Sequence, residues 1–351
     1  MEISIITQAG HGGYGGIALY NSYFVETLAS SNKIKKINIY SRSLIKKNLK
    51  KTRVLKVVNK FFFFIIVNLK IFNLLKSKII FVSHINLLPT VIIPLLLNRK
   101  VVLLTYGLEI WGDKKSIINS YLIKKIKHFI CMRQYTFNIL KKRYKIKNFK
   151  NYLLPNCIKL KNVKKNNHLK TTNLVTVARL DSLEKYKGVD ETLEALSLFK
   201  SINFNYFIIG DGTDRYRLEK KTEDLQLTKY VKFYGKISNY KRDRIMKNSS
   251  IMMMPGSDET FDTYPFRFSF LEAARFGIKI ICSYPSKDEL KYEKYYKTFF
   301  FVNPKNKIDI FNKIKLLQKR NNKYFDKKLL NDFSYKVYKY NLIKILDQII
   351  K

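Results

Sequence analysis

Five glycines follow the first apolar run of the chain and precede a helical pattern: Gly10, Gly12, Gly13, Gly15 and Gly16. Glycine lets a backbone turn tightly and approach a phosphate, and the N-terminus of the next helix presents unpaired N–H groups to an anion. The spacing 10, 12 and 15 matches the dinucleotide fingerprint, and the SRS sequence at 41–43 suits a 2′-phosphate. By itself this loop leaves two interpretations open, an NADP-dependent enzyme and a structural glycine turn.

The second half of the chain carries a more specific pattern. Residues 174–190 read LVTVARLDSLEKYKGVD, with Arg179 at the end of an apolar run and Lys187-Gly188 at the start of a helical one. This segment resembles the nucleotide-sugar domain of glycosyltransferase family 4, the retaining GT-B glycosyltransferases also called group 1. Arg179 and Lys187-Gly188 match the G-R-L and K-G positions of that family, with Ala178 in place of the usual glycine.

The resemblance continues through several further motifs in the expected order. Residues 207–214 (FIIGDGTD), 231–235 (VKFYG) and 266–277 (FRFSFLEAARFG) follow in the second half, and the G-G turn at 15–16, residues 105–112 (TYGLEIWG) and the P-N pair at 155–156 lie in the first. Several concurrent motifs are a strong signal, although each alone is weak. The resemblance implies an α/β protein with the GT-B fold, two doubly wound Rossmann-like domains that face each other across a cleft.

The family resemblance assigns roles to individual residues. Arg179 and Lys187 are expected to neutralise the leaving diphosphate, because arginine grips phosphate with two donors and lysine adds a point charge. Glu272, in the first turn of its helix, is expected to accept hydrogen bonds from the ribose hydroxyls. The catalytic residues predicted in this way are Arg179, Lys187 and Glu272, and the donor-binding set adds Gly15, Gly16, Gly235 and Ser269.

The acceptor side is predicted from the first half of the chain. Its candidate residues are His11, His84, Tyr106 and Glu109. Tyr106 stands where the family has a histidine, and tyrosine donates a hydrogen bond but is no base at neutral pH. A front-face mechanism, in which the leaving phosphate takes the acceptor proton, makes a dedicated base less essential.

A second departure concerns the pair of glutamates that the family places eight positions apart. Tyr264 stands eight residues before Glu272, so the first glutamate is missing. Asp258, Glu259 and Asp262 lie in the loop before it and are the candidates to replace that carboxylate.

No resident cofactor or metal is expected. The donor substrate is predicted to be a UDP- or GDP-sugar, and fixed cations and helix donors take the place of a metal ion at the diphosphate. Asp211, Asp214, Asp258 and Glu259 raise the alternative of a divalent metal site, but aspartates at turns and helix caps explain them as well.

Alternating β and α patterns support two doubly wound domains. Strands are predicted at 3–7, 37–40, 79–83, 101–106, 128–132 and 152–154, and then at 174–178, 206–209, 231–234, 251–254 and 278–282. Helices are predicted at 17–30, 189–200, 214–224 and 268–276. We expect an N-terminal acceptor domain at 1–165, a nucleotide-sugar domain at 172–330, and a C-terminal helix at 331–351 that packs back on the first domain.

The charge is high and unevenly distributed. The chain has 351 residues and a net charge of +42. Residues 1–170 carry 33 basic and four acidic residues, a net +29. This asymmetry points to an anionic partner for the first half. Residues 44–78 mix lysines with apolar clusters in the manner of an interfacial segment, although a helix with one buried face fits equally well.

Three distant cysteines argue against a disulfide scaffold, with Cys131 and Cys282 expected to be buried thiols, and no signal peptide or membrane span is evident. The sequence therefore predicts a cytoplasmic, metal-independent retaining glycosyltransferase, peripheral at the inner membrane face. It would act on a glycan or lipid-linked acceptor in cell-surface polysaccharide or glycolipid biosynthesis, with an anionic membrane surface and no nucleic acid as partner. The alternatives are an NADP-dependent oxidoreductase that uses the first glycine loop and a basic nucleic-acid-binding protein.

Overall fold

The chain forms two compact units. The structure, a computed structural model, describes residues 1–8, 15–43, 49–111, 116–160, 172–182, 187–199, 204–256, 267–284, 295, 297–319 and 323–351. One unit contains Met1–Asn156 together with Tyr335–Lys351, and the other contains Cys157–Ser334. The chain therefore leaves the first unit near residue 156 and returns to it near residue 335.

The first unit is built on a seven-stranded parallel sheet with the order β3-β2-β1-β4-β5-β6-β7. Its strands are β1 (Glu2–Thr7), β2 (Lys36–Ser41), β3 (Thr52–Lys56), β4 (Ile79–Val82), β5 (Val101–Thr105), β6 (His128–Cys131) and β7 (Lys150–Leu153). The central strands β4 and β5 are buried along their whole length. Such continuous apolar runs are what a parallel sheet covered on both faces requires.

Helices cover the two faces of this sheet according to the direction of each crossover. They are α1 (Gly16–Ala29), α2 (Lys60–Leu69), α3 (Ile71–Lys76), α4 (Ile92–Leu96), α5 (Leu108–Trp111), α6 (Ile117–Ile123), α7 (Gln134–Tyr144) and a 3-10 segment at Ile85–Val91. Right-handed connections place α1 on one face and the helices that follow β3 to β6 on the other. The last helix of the chain, Tyr335–Ile350, packs beside α1.

The second unit repeats this architecture with a six-stranded parallel sheet. Its strands are β8 (Thr172–Val177), β9 (Phe204–Ile209), β10 (Val231–Gly235), β11 (Ile251–Met254), β12 (Lys279–Ser283) and β13 (Phe299–Val302), in the order β10-β9-β8-β11-β12-β13. Its helices are α8 (Val189–Leu196), α9 (Arg215–Asp224), α10 (Asn239–Lys247), α11 (Phe268–Arg275), α12 (Lys307–Lys319) and α13 (Lys327–Asp332), so that the helix at 335–350 is α14. One apolar core lies beneath α10, α11 and α13, and another beneath α8, α9 and α12.

The predicted doubly wound organisation is confirmed, but several elements differ from the prediction. The segment at 44–78 is not one interfacial element, because it contains β3 before α2 and α3, while residues 44–48 lie outside the described residues. The edge strand β13 and the helix α10 were not predicted. Both are weakly patterned, since β13 is a short aromatic run at an edge and most positions of α10 are charged or polar.

Cys131, Cys157 and Cys282 are free and buried, as predicted for the first and the last of them, and burial raises the pKa of Cys131 and of Cys282 to about 12. Over the part of the chain that the structure describes, no helix is both long enough and apolar enough to cross a bilayer.

Candidate functional site

The predicted donor residues of the second unit gather at one edge of its sheet. Arg179 follows β8, Gly235 ends β10, and Ser269 lies in the first turn of α11, which follows β11. In an open parallel sheet the carboxyl ends of the strands share one edge, and ligands bind there at the point where the strand order reverses. That point lies between β8 and β11, because the chain winds outward from β8 to β9 and β10 and then crosses to β11.

Gly188 shows why a lysine–glycine pair suits this edge. Its φ is +79°, and a Cβ added to it would lie 2.1 Å from the backbone nitrogen of Gly256. The start of α8 therefore packs directly on the segment that leaves β11, and only glycine fits. Ser283 at the end of β12 holds the same segment, because its hydroxyl lies 2.7 Å from the carbonyl oxygens of both Pro255 and Gly256. Lys187 is half-buried next to this contact.

Two further glycines bring the ends of β8 and β9 together. A Cβ on Gly210 would lie 1.7 Å from the carbonyl oxygen of Ala178, and one on Gly212 would lie 2.1 Å from that of Leu180. The two segments also continue to pair beyond the strands, since the amide of Leu180 donates to Asp211 over 3.1 Å. This extension carries the chain through Arg179, whose side chain is exposed to solvent.

Gly235 and the start of α11 complete the edge. Gly235 has a φ of +62°, and its carbonyl oxygen accepts a hydrogen bond of 3.0 Å from the amide of Gly210. Ser269 is half-buried, and α11 begins after Arg267 with no side-chain capping bond among the described residues. Helix N-termini of this kind offer backbone donors and positive potential to an anion.

Glu272 lies deeper than predicted and has a charged partner. It is the fifth residue of α11, so the expected place in the first turn is wrong by one turn. The residue is 7% exposed, and its Oε1 lies 2.9 Å from Nη2 of Arg242 in α10. Burial raises the pKa of Glu272, while the charges of Arg242 and Arg275 oppose that rise. The carboxylate is thus held in place by an ion pair between two helices.

This pair belongs to a network of alternating charges. Nη2 of Arg242 also lies 2.9 Å from Oδ1 of Asp243, and Nη2 of Arg275 lies 3.2 Å from Oδ2 of Asp243. Two carboxylates and two guanidinium groups therefore balance each other between α10 and the second half of α11. Arg242 was missed in the sequence because its helix was missed. The available signal was Ser238, whose hydroxyl caps the third residue of α10.

His84 is the most defined of the predicted acceptor residues. It follows β4 in the first unit, and its Nδ1 accepts a hydrogen bond of 3.1 Å from the amide of Asn86. Burial lowers the pKa of His84 to about 4, so the ring is neutral at physiological pH. Because Nδ1 accepts, the ring proton is assigned to Nε2, which leaves His84 a hydrogen-bond donor.

Tyr106 and Glu109 follow the neighbouring strand β5. Tyr106 is buried, and its hydroxyl donates to Oδ1 of Asn21 over 2.7 Å. Glu109 turns back to accept from the amides of Tyr106 at 2.5 Å and Gly107 at 3.1 Å. Burial raises the pKa of both side chains. These contacts fix the loop after β5 and give both residues structural roles beside the predicted one.

The first glycine loop is only partly described. Gly15 caps α1 with a φ of +99°, and the space around its Cβ position is open for 4 Å. Glycine is thus required here by backbone conformation. Gly16 is the exposed first residue of α1. His11 lies outside the described residues.

No group of three or more His, Cys, Asp or Glu side chains that could hold a metal occurs in the described ranges. Asp258, Glu259, Asp262 and Tyr264 fall in 257–266, outside those ranges. Asp214 occupies the N-cap position of α9 and pairs with Arg217 at 2.7 Å, while Asp211 lies 3.7 Å from Arg215, and these ion pairs account for both aspartates.

Comparisons with known proteins agree with the family and the fold. A family model described as glycosyl transferases group 1 matches residues 160–340. A lipopolysaccharide outer core galactosyltransferase, WaaB in its apo form, shares 16% identity with a TM-score of 0.71, and the match covers 99% of both chains. A sucrose-phosphate synthase from Thermosynechococcus elongatus shares 15% with a TM-score of 0.74 over 99% of this chain and 98% of its own. HepE from Anabaena, in complex with UDP and glucose, shares 13% with a TM-score of 0.75 over 99% and 100%. No curated protein sequence matches the chain.

Proposed function

Because the chain belongs to the group 1 glycosyltransferases, we propose that it moves a sugar from a UDP- or GDP-sugar to a glycan or lipid-linked acceptor with retention of configuration. The predicted glycosyltransferase activity and GT-B fold are confirmed by the family match and by the likeness to solved glycosyltransferases. The family match favours glycosyl transfer over the two alternative functions, an NADP-dependent oxidoreductase and a nucleic-acid-binding protein. Because HepE was solved in complex with UDP, UDP is the first nucleotide to test.

The observation that carries the proposal is the gathering of Arg179, Lys187 and the N-terminus of α11 at the switch point of the second sheet. When the bond between sugar and diphosphate loosens, negative charge grows on the leaving phosphate. Fixed cations and backbone donors stabilise that charge without reorganising during the reaction. Metal-independent transfer follows from the same set of groups.

Glu272 is the proposed partner of the ribose hydroxyls. Its Oε1 is taken by Arg242, and the structure gives Oε2 no partner among the described residues. A carboxylate held at one oxygen presents the other in a fixed direction, and that oxygen accepts from a hydroxyl. The ion pair therefore orients the group that would read the ribose.

Among the described residues of the first unit, His84 and Tyr106 offer little basicity to the acceptor hydroxyl. His84, with a pKa of about 4 and Nδ1 already occupied, donates rather than accepts at neutral pH. Tyr106 is a buried donor to Asn21. This arrangement supports front-face substitution, in which the leaving phosphate itself takes the proton. His84 then positions the acceptor through Nε2–H.

Ligand binding and product analysis test the proposal. Thermal shifts are measured with UDP, GDP, ADP and NADP, since a ligand at a hundred times its Kd stabilises by about 2.7 kcal/mol. Arg179→Ala and Lys187→Ala are expected to lower turnover strongly, because one lost donor of this kind costs about 2.7–4 kcal/mol in the transition state. Arg244→Ala, on the exposed end of α10, is the matched control.

Two outcomes would contradict the proposal. One is stabilisation by NADP together with no response to any nucleoside diphosphate. The other is near-normal turnover of both variants at saturating donor. Retention is checked by NMR of the anomeric proton in the first product formed, and metal independence by activity in EDTA. Activity that disappears in EDTA and returns with Mg²⁺ would direct attention to the acidic residues at 257–266.

The acceptor side is proposed to dock on an anionic membrane, on the cytosolic face. Phe61, Phe62, Leu69 and Phe72 of α2 and α3 are 71%, 54%, 71% and 74% exposed, whereas Phe63 is 1% exposed. Exposed apolar side chains in such number mark an interaction surface. Lys60 at the start of α2 and Lys70 between α2 and α3 are exposed, and aromatic side chains beside lysines suit an anionic bilayer. A lipid-linked acceptor would lie at this surface, as cell-surface polysaccharide or glycolipid synthesis requires.

Vesicle co-sedimentation tests the docking surface. Phe61→Ser/Phe72→Ser should weaken binding to phosphatidylglycerol vesicles, and it spares the buried Phe63. Ile308→Ser/Leu316→Ser on α12, which removes two side chains that are 57% and 42% exposed, is the control. Wild-type protein that ignores anionic vesicles at physiological salt would refute docking, and equal loss in both variants would place the surface elsewhere.

A further inference from the structure

A second basic site lies in the first unit, away from the residues discussed so far. A cavity of about 450 Å³ opens where β5, β6 and β7 begin and where α14 ends. It is lined by Lys100, Lys127, His128, Asn148, Phe149, Lys150, Gln348, Ile349 and Lys351. This is the amino edge of the sheet, whereas His84, Tyr106 and Gly15 follow the carboxyl ends of their strands.

The charge of this cavity exceeds what the composition explains. The chain has 68 basic residues among 351, but four of the nine residues that line the cavity are lysines and none is acidic. The side chains of Lys127, Lys150 and Lys351 are exposed and make no ion pair or hydrogen bond within the described ranges. Unpaired like charges around one concavity repel each other and attract an anion.

The side chain of Lys100 is held in place at the cavity by two hydrogen bonds. Its Nζ donates to the carbonyl oxygens of Ile349 and Ile350 over 2.7 and 2.8 Å. This caps the C-terminus of α14, where the helix dipole is negative. An ammonium has three hydrogens, so one remains for a ligand. Lys100 therefore compensates the helix dipole, and no acidic side chain is among the residues that line the cavity with the other three lysines.

The charges of these lysines act on His128, which also lines the cavity. Its Nδ1 lies 3.3 Å from the hydroxyl of Tyr152, and the two rings stack. Burial lowers the pKa of His128, and the charges of Lys100, Lys150 and Lys127 lower it further. The three lysines therefore act on one point beside the cavity.

We propose that this cavity binds a phosphate group, carried either by a soluble phosphorylated molecule or by the headgroup of an anionic lipid. Its volume is in the range of small-molecule sites, and compact ammonium groups are suited to a multiply charged phosphate. The site is distinct from the proposed donor site, which lies in the other unit, and does not depend on it.

The test follows the ring of His128 by NMR in the full chain. Inorganic pyrophosphate should raise the pKa of His128 by about 1, because an opposite charge nearby favours the protonated ring. Sodium chloride at equal ionic strength is the reference. Lys127→Gln/Lys150→Gln should abolish the response, while Lys141→Gln/Lys142→Gln on the exposed end of α7 should keep it. Arg179→Ala should also keep it, which separates this site from the donor site.

A second arm identifies the source of the phosphate. Co-sedimentation with phosphatidylglycerol vesicles compares the same two lysine variants, with phosphatidylcholine vesicles as reference. A pyrophosphate response without a difference between the variants on vesicles assigns a soluble ligand. Loss of vesicle binding in Lys127→Gln/Lys150→Gln alone assigns a lipid headgroup. The proposal is overturned if pyrophosphate gives no saturable change at His128 and the two variants sediment alike.

Discussion

The ion pair between Arg242 and Glu272 makes a quantitative prediction. Replacing Arg242 by methionine keeps most of the side-chain length and removes the guanidinium that lies 2.9 Å from the carboxylate. Glu272 is 7% exposed, so water cannot replace the lost guanidinium as the partner of its carboxylate. Breaking a buried pair in this way costs about 3–5 kcal/mol of folding free energy. Arg275 still acts on Glu272, so we expect the lower end, about 3 kcal/mol.

The cost should depend on pH with a defined sign. Burial already raises the pKa of Glu272 above the ordinary 4.5, and loss of Arg242 raises it further. The folded variant then holds its proton more tightly than the unfolded chain does. Stability of Arg242→Met is therefore retained near pH 4.5 and lost as pH rises through the raised pKa, by at most about 1.4 kcal/mol per pH unit.

Urea unfolding followed by circular dichroism at pH 5 and pH 8 measures both effects. Arg244→Met, an exposed arginine in the last turn of the same helix, is the control and should change stability by less than about 0.5 kcal/mol. Arg242→Met/Glu272→Gln removes the unpaired carboxylate, so it should recover part of the lost stability and abolish the pH dependence that the loss of Arg242 adds. If Arg242→Met behaves like Arg244→Met at both pH values, the ion pair does not hold Glu272, and its role in orienting that carboxylate falls.

Three other predictions concern single residues, Gly188, Asp190 and His84. Gly188→Ala should disrupt the donor edge and cost more folding free energy than Gly15→Ala in parallel urea titrations. The reason is that a Cβ at Gly188 would lie 2.1 Å from Gly256, whereas a Cβ at Gly15 would meet open space. Equal costs would mean that only the backbone φ angle matters. Burial raises the pKa of Asp190, but its hydrogen bonds to Arg217 and Lys221 outweigh that effect and lower the pKa to about 2. Compared with Asp190→Asn, Asp190 should stabilise the fold by at most about 2 kcal/mol at pH 7, an advantage that is present above pH 3.8 and is lost toward pH 2. A stability difference between the two proteins that persists at pH 2 refutes this prediction. His84, with a pKa of about 4, should show no NMR titration between pH 5.5 and 8, and a midpoint near 6.5 would contradict its burial.

Motifs predicted the donor edge because each depends on local backbone chemistry. Gly188, Gly210 and Gly212 are required where segments approach too closely for a Cβ, and that requirement is visible in the sequence as glycine at fixed places. Strands such as β4 and β5 were visible because both faces of a parallel sheet are covered, which leaves an unbroken apolar run.

Other parts of the site depend on contacts between distant segments. The partner of Glu272 lies 30 positions earlier in a helix with little apolar periodicity, so no local pattern connects the two. The segment at 60–72 shows the same limit at the surface. Sequence alone could not separate Phe63, which is buried, from Phe61 and Phe62, which are exposed, because all are phenylalanines in one run.

The return of the chain to the first unit bears on how the protein is made. Tyr335 and Tyr338 of α14 pack on Tyr23 and Tyr20 of α1, with ring centroids 5.3 and 5.9 Å apart. On the ribosome, α1 emerges early, but its covering helix follows only after all of Cys157–Ser334 has been translated. At about 5–20 residues per second, that delay is on the order of ten seconds or more. During it the aromatic side chains of α1 lack the helix that covers them, and of these two units the one that is begun first is completed last.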